Sequence, residues 1–329
     1  MPMIKNSAVT FSVAIATYNG ELFIRQQIES ILTQTIPIDE IVICDDNSTD
    51  KTWDILQHLA KEYPIIQTYK NDKNLGYIKN FEKAASLCSG EYILLADQDD
   101  IWTKDHVEVL YETLGDKSLA CGNAECMNKE GTLTGETLKS PSFKLSGDLK
   151  TDFRRYLYLV YAQGSTMLFK KELLEKALPF PTDISHDIWL GFIAYTAGNG
   201  LQYTNETVLY YRRWGNNVTS LAKDTKRINK ANLQNLLFGG GLVFLKKAKM
   251  FEQFLTFTKE NPTDPLFLEE LQDALRFSEL VGAGKKSIWA MKYFFRNQND
   301  IFGSKTKKDI FIRFIRYFIL NWRIFRTTL

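Results

Sequence analysis

The sequence predicts an α/β protein: a mostly parallel sheet flanked by helices, followed by a C-terminal helical extension. Three observations predict it. Between residues 11 and 126, short unbroken apolar runs alternate with segments whose apolar residues recur at helical spacing, the pattern of strands buried on both faces and joined by crossover helices. Three of those runs end in polar clusters: Thr17-Tyr18-Asn19, Asp45-Asp46-Asn47 and Asp97-Gln98-Asp99-Asp100. Beyond about residue 222 the spacing is helical to the end, broken once by "NPTDP" at 261–265.

The elements follow in order. "FSVAIAT" (11–17) is a buried strand, and "ELFIRQQIESILTQ" (21–34) is a helix with Leu22, Ile24, Ile28, Ile31 and Leu32 on one face. "EIVICDD" is the second strand, with Ser48 or Asp50 placed to cap the helix behind it. "IIQTYKN" and "YIKNFEKAASLC" are the third strand and helix; "EYILLAD" and "KDHVEVLYETLG" are the fourth pair. From 127 to 165 the periodicity fades into the polar, turn-rich "NKEGTLTGETLKSPSFKLSGD", which reads as a loop over a site. "GSTMLFKKELLEKA" is a strand and a short helix, "SHDIWLGFIAYTAG" a helix ending at Gly198, and "LQYTNETVLYYRRW" extended chain. "FGGGLVF" (238–244) reads as a bend between helices. The expected organisation is one domain over 1–221 and a helical region over 222–329, with no internal repeat.

Bulk properties exclude several classes. With 44% hydrophobic and 24% charged residues in 329, the chain builds an ordinary globular core. The net charge is +2, unevenly spread: residues 285–329 carry eleven Lys or Arg against two Asp or Glu, so the remainder is acidic and poorly suited to nucleic acid. Cys44, Cys88, Cys121 and Cys126 lack paired zinc spacing and read as buried thiols of a reducing compartment. "MPMIKNSAVT" lacks the features of a signal peptide, and no window holds 18 uncharged apolar residues. A cytoplasmic location is therefore expected, and the sequons at Asn47, Asn205 and Asn217 are read as chance matches.

In a parallel α/β sheet, ligands bind beyond the carboxyl ends of the strands, so the three polar clusters are expected to share one edge. Carboxylates spaced i, i+2 suit a hard cation such as Mg²⁺ or Mn²⁺, and a nucleotide phosphate is its natural companion. A lone D-x-D is more often a cap or a solvated turn. The coincidence of three clusters, each closing an apolar strand, favours a site.

"VAIATYNGE", "IVICDDNSTDKT", "NLGYIKNFEKA" and "GEYILLADQDDIW" stand in the order and spacing of family 2 glycosyltransferases, which have the Rossmann-like GT-A fold. "SHDIWL" and "LYYRRWGNNVT" extend that resemblance over roughly residues 10–220, and "DQDDIW" with "HDIWL" looks most like bacterial rhamnosyltransferases of surface-polysaccharide assembly. The resemblance implies that Tyr18 and Asp46 hold the nucleotide base, Asp46 accepting from a pyrimidine N3–H, with Ala16 and Asn19 flanking the pocket. It implies Asp97 near the ribose and Asp99 on a metal bound to the diphosphate, Asp97 and Asp99 together forming the metal set. Asp100 supports them from behind. Asp187 is implied as the catalytic base, placed at a helix start where the dipole favours its ionised form. Arg212 and Arg213 are implied at the diphosphate and acceptor.

One base without a protein nucleophile implies single displacement with inversion, the metal acting as a Lewis acid on the leaving diphosphate. The resemblance favours L-rhamnose from dTDP-rhamnose, with a UDP-hexose as the alternative, and a lipid-linked saccharide as acceptor. Nucleotidyl transfer and a non-catalytic assembly role are the rival classes. One departure stands out. Many relatives carry a histidine where this chain has Trp214, which puts the metal's ligand set in doubt. Trp214 or Trp102 is a candidate to stack on a sugar; Trp189 reads as core. Finally, "KKDIFIRFIRYFILNWRIFR" (307–326) aligns Arg313, Arg316 and Arg323 among aromatic residues. Such a helix suits a membrane interface at the inner face of the cell membrane, or packing on the body or in a homodimer.

Overall fold

The computed structural model describes residues 9–159, 161–215, 240–303 and 306–320. Strand β1 (Phe11–Thr17) is buried along nearly its whole length, as an unbroken apolar run demands. It pairs in parallel with β2 (Glu40–Asp45) on one side and β4 (Tyr92–Ala96) on the other, and β2 pairs with β3 (Ile66–Lys70). The sheet continues from β4 through β8 (Met167–Lys170), β6 (Leu119–Met127) and β9 (Leu201–Arg212) to the two-residue β5 (Ile101–Trp102); β7 (Leu133–Thr137) pairs with β6. Pairings β4–β8, β6–β8, β5–β9 and β6–β7 are antiparallel, while β6–β9 is parallel.

Helices α1 (Ile24–Leu32), α2 (Thr52–Glu62), α3 (Tyr77–Leu87) and α4 (His106–Leu114) supply the crossovers. Ile24, Ile28 and Ile31 are buried as the spacing predicts, but Leu22 precedes the helix and is exposed. Register then positions the site. Thr17 lies opposite Asp45, and Ile15 opposite Ala96, so the chain leaves β1, β2 and β4 at one edge.

The chain divides into two compact units, one of residues 1–145 and 161–214, the other of residues 146–160 and 215–329. The stretch expected to be a loop, 127–165, is loop and turn in part, but it also contains β7 and helix α5 (Leu149–Leu159). Polar and turn-forming residues dominate that stretch, and Phe153, Tyr156, Leu157 and Tyr158 mark the buried face of α5. Short helices α6 (Lys171–Ala177) and α7 (His186–Thr196) complete the first unit.

In the second unit, α5 is joined by α8 (Gly240–Glu260), α9 (Pro265–Gly282), α10 (Ile288–Phe302) and α11 (Lys307–Phe314), the last running into a π-helical turn at Ile315–Leu320. "NPTDP" does break the helices, with Asp264 accepting from Leu266 N at 2.8 Å and proline in the first turn. Two further breaks fall near Gly284 and Gly303, both at positive φ. The second unit's core is aromatic, with Phe251, Phe254, Phe277 and Phe294 fully buried. Buried ion pairs brace it: Arg154 grips Glu270 with Nε at 2.6 Å and Nη2 at 2.9 Å, and Asp300 accepts from both Arg154 and Arg155. Of the expected bend at 238–244, the first residues lie outside the described ones, and from Gly240 the chain is helical. Of the basic stripe, residues 321–326, including Arg323, lie outside them too. The four cysteines are buried. Among the described residues, no helix is long and apolar enough to cross a membrane.

Candidate active site

The sheet edge knits the three polar clusters together. Asn19 and Asn47, the residues beyond β1 and β2, both adopt the left-handed conformation, with φ of 50° and 63°. Asparagine tolerates that conformation better than most residues, and such strain concentrates at functional sites. Asn19 N donates to Ser48 Oγ at 2.9 Å, and Asn19 Oδ1 accepts from Thr49 N at 2.9 Å. Asp50, one of two expected caps, accepts from Thr52 N; Ser48, the other, is drawn back to Asp45. Gln98 binds the first cluster to the third: its Oε1 accepts from Tyr18 N at 2.9 Å and Thr17 Oγ1 at 2.6 Å, and its Nε2 donates to Tyr18 O. A β-carbon at Gly20 would collide with that amide. Neither Gln98 nor Gly20 carries a sequence signal of this role.

Asp46 is buried and engaged. Its Oδ1 accepts from Asn71 Nδ2 at 2.8 Å and Leu75 N at 2.7 Å, and its Oδ2 accepts from Gly76 N at 2.9 Å. The carboxylate thus shapes the turn that opens α3. A carboxylate offers about four acceptor directions, so these three donors leave Oδ2 with capacity for one more. Tyr18 stands beside this loop with 46% of its surface exposed, above half-buried Ala16. Leu75 and Tyr77, at the turn that Asp46 shapes, are exposed as well, a feature the sequence does not distinguish from helix surface.

In the acidic cluster Asp99 and Asp100 are buried, and Asp97 and Asp187 are partly so. Burial, reinforced by the charges of Asp99 and Asp187, pushes the Asp97 carboxyl up to about 7. Burial raises Asp99 as well, opposed by the hydrogen bond from Trp214. Asp100 lies well above the usual carboxylate range through burial and its two acidic neighbours. Its Oδ1 accepts from Arg212 N at 2.9 Å, and the Ser165 hydroxyl beside it also favours the charged form, without offsetting the rise. Asp187 lies in the first turn of α7, its Oδ1 accepting from Ile188 N. Beside it, His186 is buried against Phe81 with ring centroids 4.2 Å apart, and burial lowers its basicity. Gly164 makes room for it, since a β-carbon there would stand 2.7 Å from His186 Nε2. Lys139, hidden from sequence reading inside the presumed loop, has its ammonium depressed by burial, with Asp187 among the charges that oppose the shift.

Three expected placements change. Trp102 is 3% exposed, stacked on His106 at 3.7 Å, so it cannot meet a sugar; pairing of β5 with β9 turns it inward. Arg212 is also buried. Its Nε donates to Asp99 O at 2.8 Å, Nη1 to Lys129 O at 2.7 Å and Nη2 to Gln26 Oε1 at 2.8 Å, which makes it a brace for the acidic loop rather than a diphosphate clamp. Trp214 donates from Nε1 to Asp99 Oδ2 at 2.7 Å, so its indole is committed to the carboxylate expected on the metal. Arg213 is half-exposed and ion-paired with Glu136. Trp189 is core, as read, with its Nε1 donating to Ala177 O.

Residues 12–178, just over half of the chain, match the model of "Glycosyl transferase family 2". The chain belongs to that family. An uncharacterized glycosyltransferase of Haemophilus influenzae is 25% identical over 93% of this chain and 96% of its own length. The dTDP-rhamnosyl transferase RfbG of Shigella flexneri is 30% identical over 62% of this chain and 72% of its own. The Escherichia coli WfaP, a UDP-Glc:α-D-GlcNAc-diphosphoundecaprenol β-1,3-glucosyltransferase, is 28% identical over 61% and 76%. Among solved structures, S. aureus TarS 1-349 in complex with UDP-GlcNAc superposes with a TM-score of 0.54 at 15% identity, covering 97% of this chain and 91% of that one. A Pyrobaculum calidifontis mannosyltransferase in complex with GDP-Man and Mn²⁺ gives 0.51 at 17%, covering 98% and 84%. The chain is a glycosyltransferase with a GT-A-like fold, which sets aside nucleotidyl transfer and the non-catalytic role.

The glycosyltransferase's acidic residues fit a divalent cation. Among the described residues no three His, Cys, Asp or Glu side chains form a ready-made cage; an ion such as Mg²⁺ is commonly held by one or two carboxylates and substrate phosphates. The carboxylate oxygens of Asp97 and Asp99 are the hard donors that such an ion takes.

Proposed function

We propose that this glycosyltransferase moves a sugar, with inversion, from a nucleoside diphosphate to a saccharide hydroxyl on a lipid-linked polysaccharide intermediate. The observation that carries the reading is the line of groups along one edge: Tyr18 and Asp46, then Asp97 and Asp99, then Asp187 close enough to raise Asp97. In this reading Tyr18 and the open acceptor direction of Asp46 hold the base, and Asp97 takes the ribose. Asp99 with Asp97 would hold Mg²⁺ or Mn²⁺, which when bound offsets the charge developing on the departing diphosphate. Asp187 accepts the proton of the attacking hydroxyl, and Arg213, exchanging its exposed partner Glu136, meets the diphosphate or acceptor. With no protein nucleophile in the scheme, a single displacement follows.

The donor we favour is dTDP-rhamnose, supported by the likeness to RfbG; the likeness to WfaP favours a UDP-hexose instead, and also supports the lipid-linked acceptor. We further assign the exposed Ile288, Phe295 and Phe311 of the second unit, together with the basic ending, to a membrane surface, in preference to a homodimer. The test pairs a thermal-shift screen of UDP-, dTDP- and GDP-sugars with transfer assays. Asp187→Asn is expected to lower kcat by about 10²–10⁴-fold without changing the melting temperature, and Asp99→Ala to abolish transfer. Full activity in either variant would overturn these roles.

A further inference from the structure

We propose that Trp214 is a positioning residue: it orients the Asp99 carboxylate for a divalent cation while supplying no ligand of its own. The proposal rests on the metal-assisted reading of Asp99 given above. An indole nitrogen donates a hydrogen bond and cannot coordinate a cation. Trp214 Nε1 donates to Asp99 Oδ2 at 2.7 Å, which fixes the rotation of the carboxylate. The donor is itself held in place. Phe23 meets the Trp214 ring edge-on with centroids 5.1 Å apart, and the Arg212 guanidinium lies over the Phe23 ring at 4.4 Å. Arg212 then returns to the same aspartate, its Nε donating to Asp99 O at 2.8 Å. Phe23 N donates to Gly20 O at 3.1 Å, tying the stack to the loop after β1.

Asp99 is therefore gripped twice, at its carbonyl by Arg212 and at its carboxylate by Trp214, and both grips meet on Phe23. Partners of this outer kind fix the angle of a ligating carboxylate, and their loss typically lowers metal affinity by about 10–100-fold. A histidine in the same place would be able to ligate. Tryptophan trades that ligand for a fixed carboxylate.

The test is a Mn²⁺ titration of the full chain, with whichever of UDP or dTDP raises its melting temperature, read from the electron paramagnetic resonance of free Mn²⁺. Trp214→Phe keeps the ring packing and removes the donor; it is expected to bind Mn²⁺ about 10–100-fold more weakly with an unchanged melting temperature without metal. Trp214→His is expected to bind at least as tightly as wild type, because imidazole both donates and ligates. The part of the fluorescence that Trp214→Phe removes is expected to be the part that Mn²⁺ quenches. Wild-type Mn²⁺ affinity in Trp214→Phe would overturn the proposal, and if Asp99→Ala still lost Mn²⁺ the metal reading would stand. Wild-type protein that binds no Mn²⁺ would overturn both. Should Trp214→Phe fail to fold, Trp214→His decides, and an affinity ten-fold below wild type counts against the proposal.

Discussion

The residues of the edge show how burial sets chemistry. Asp97 has its carboxyl raised from the ordinary 3.8 to about 7, first by burial and then by Asp99 and Asp187. A carboxyl raised in the folded state stabilises the fold fully below its unfolded pKa, and that contribution is lost as pH rises through about 7. Asp97→Asn removes the titration. Its stability relative to wild type, from urea unfolding at a series of pH values, is therefore expected to grow as pH rises from about 4 to about 7, and added Mn²⁺ should narrow the gap. No growth of the difference across that window would mean that Asp97 is not held in a partly buried, acidic setting. Much of this site was legible in sequence, because a polar cluster closing a buried strand is displayed at the sheet edge. What was not legible depended on direction. Nothing in "DDIW" shows that Ile101–Trp102 pairs with Leu209 and Tyr210 and buries the indole. Nothing in "YYRRW" shows that the first arginine points inward and the second outward.

At the scale of elements, strands were read well because four unbroken apolar runs have few other places to go. Helices whose buried face is interrupted by charge were read poorly. Helix α5 is the example: Arg154 and Arg155 sit among its apolar residues, and their partners Glu270 and Asp300 are distant in sequence. That pairing makes a strong prediction. Arg154→Met leaves the nearly buried Glu270 with Lys150 as its cationic partner among the described residues, and removing one member of a buried pair costs about 3–5 kcal/mol. A urea midpoint lowered accordingly, at unchanged slope, would confirm the network; a loss within about 0.5 kcal/mol would show that water already screens it.

The whole molecule carries its charge asymmetrically, with eleven basic and two acidic residues over 285–329 and exposed Ile288, Phe295 and Phe311 in the same unit. Co-sedimentation with vesicles rich in anionic phosphatidylglycerol is expected and should weaken as salt rises, since each surface cation contributes about 1 kcal/mol that a Debye length screens. Equal recovery with neutral vesicles would remove the electrostatic part of that reading. Helix α5 has a bearing on synthesis as well. Its buried Phe153 meets Phe267 with ring centroids 4.8 Å apart, and those two residues are separated by more than a hundred positions. At a translation rate of about 5–20 residues per second, α5 waits on the order of ten seconds for its partner to emerge. Over that interval the nascent chain exposes the apolar face of α5. A fragment ended at residue 221 would lack Phe267 altogether and leave Phe153 without the ring it packs on.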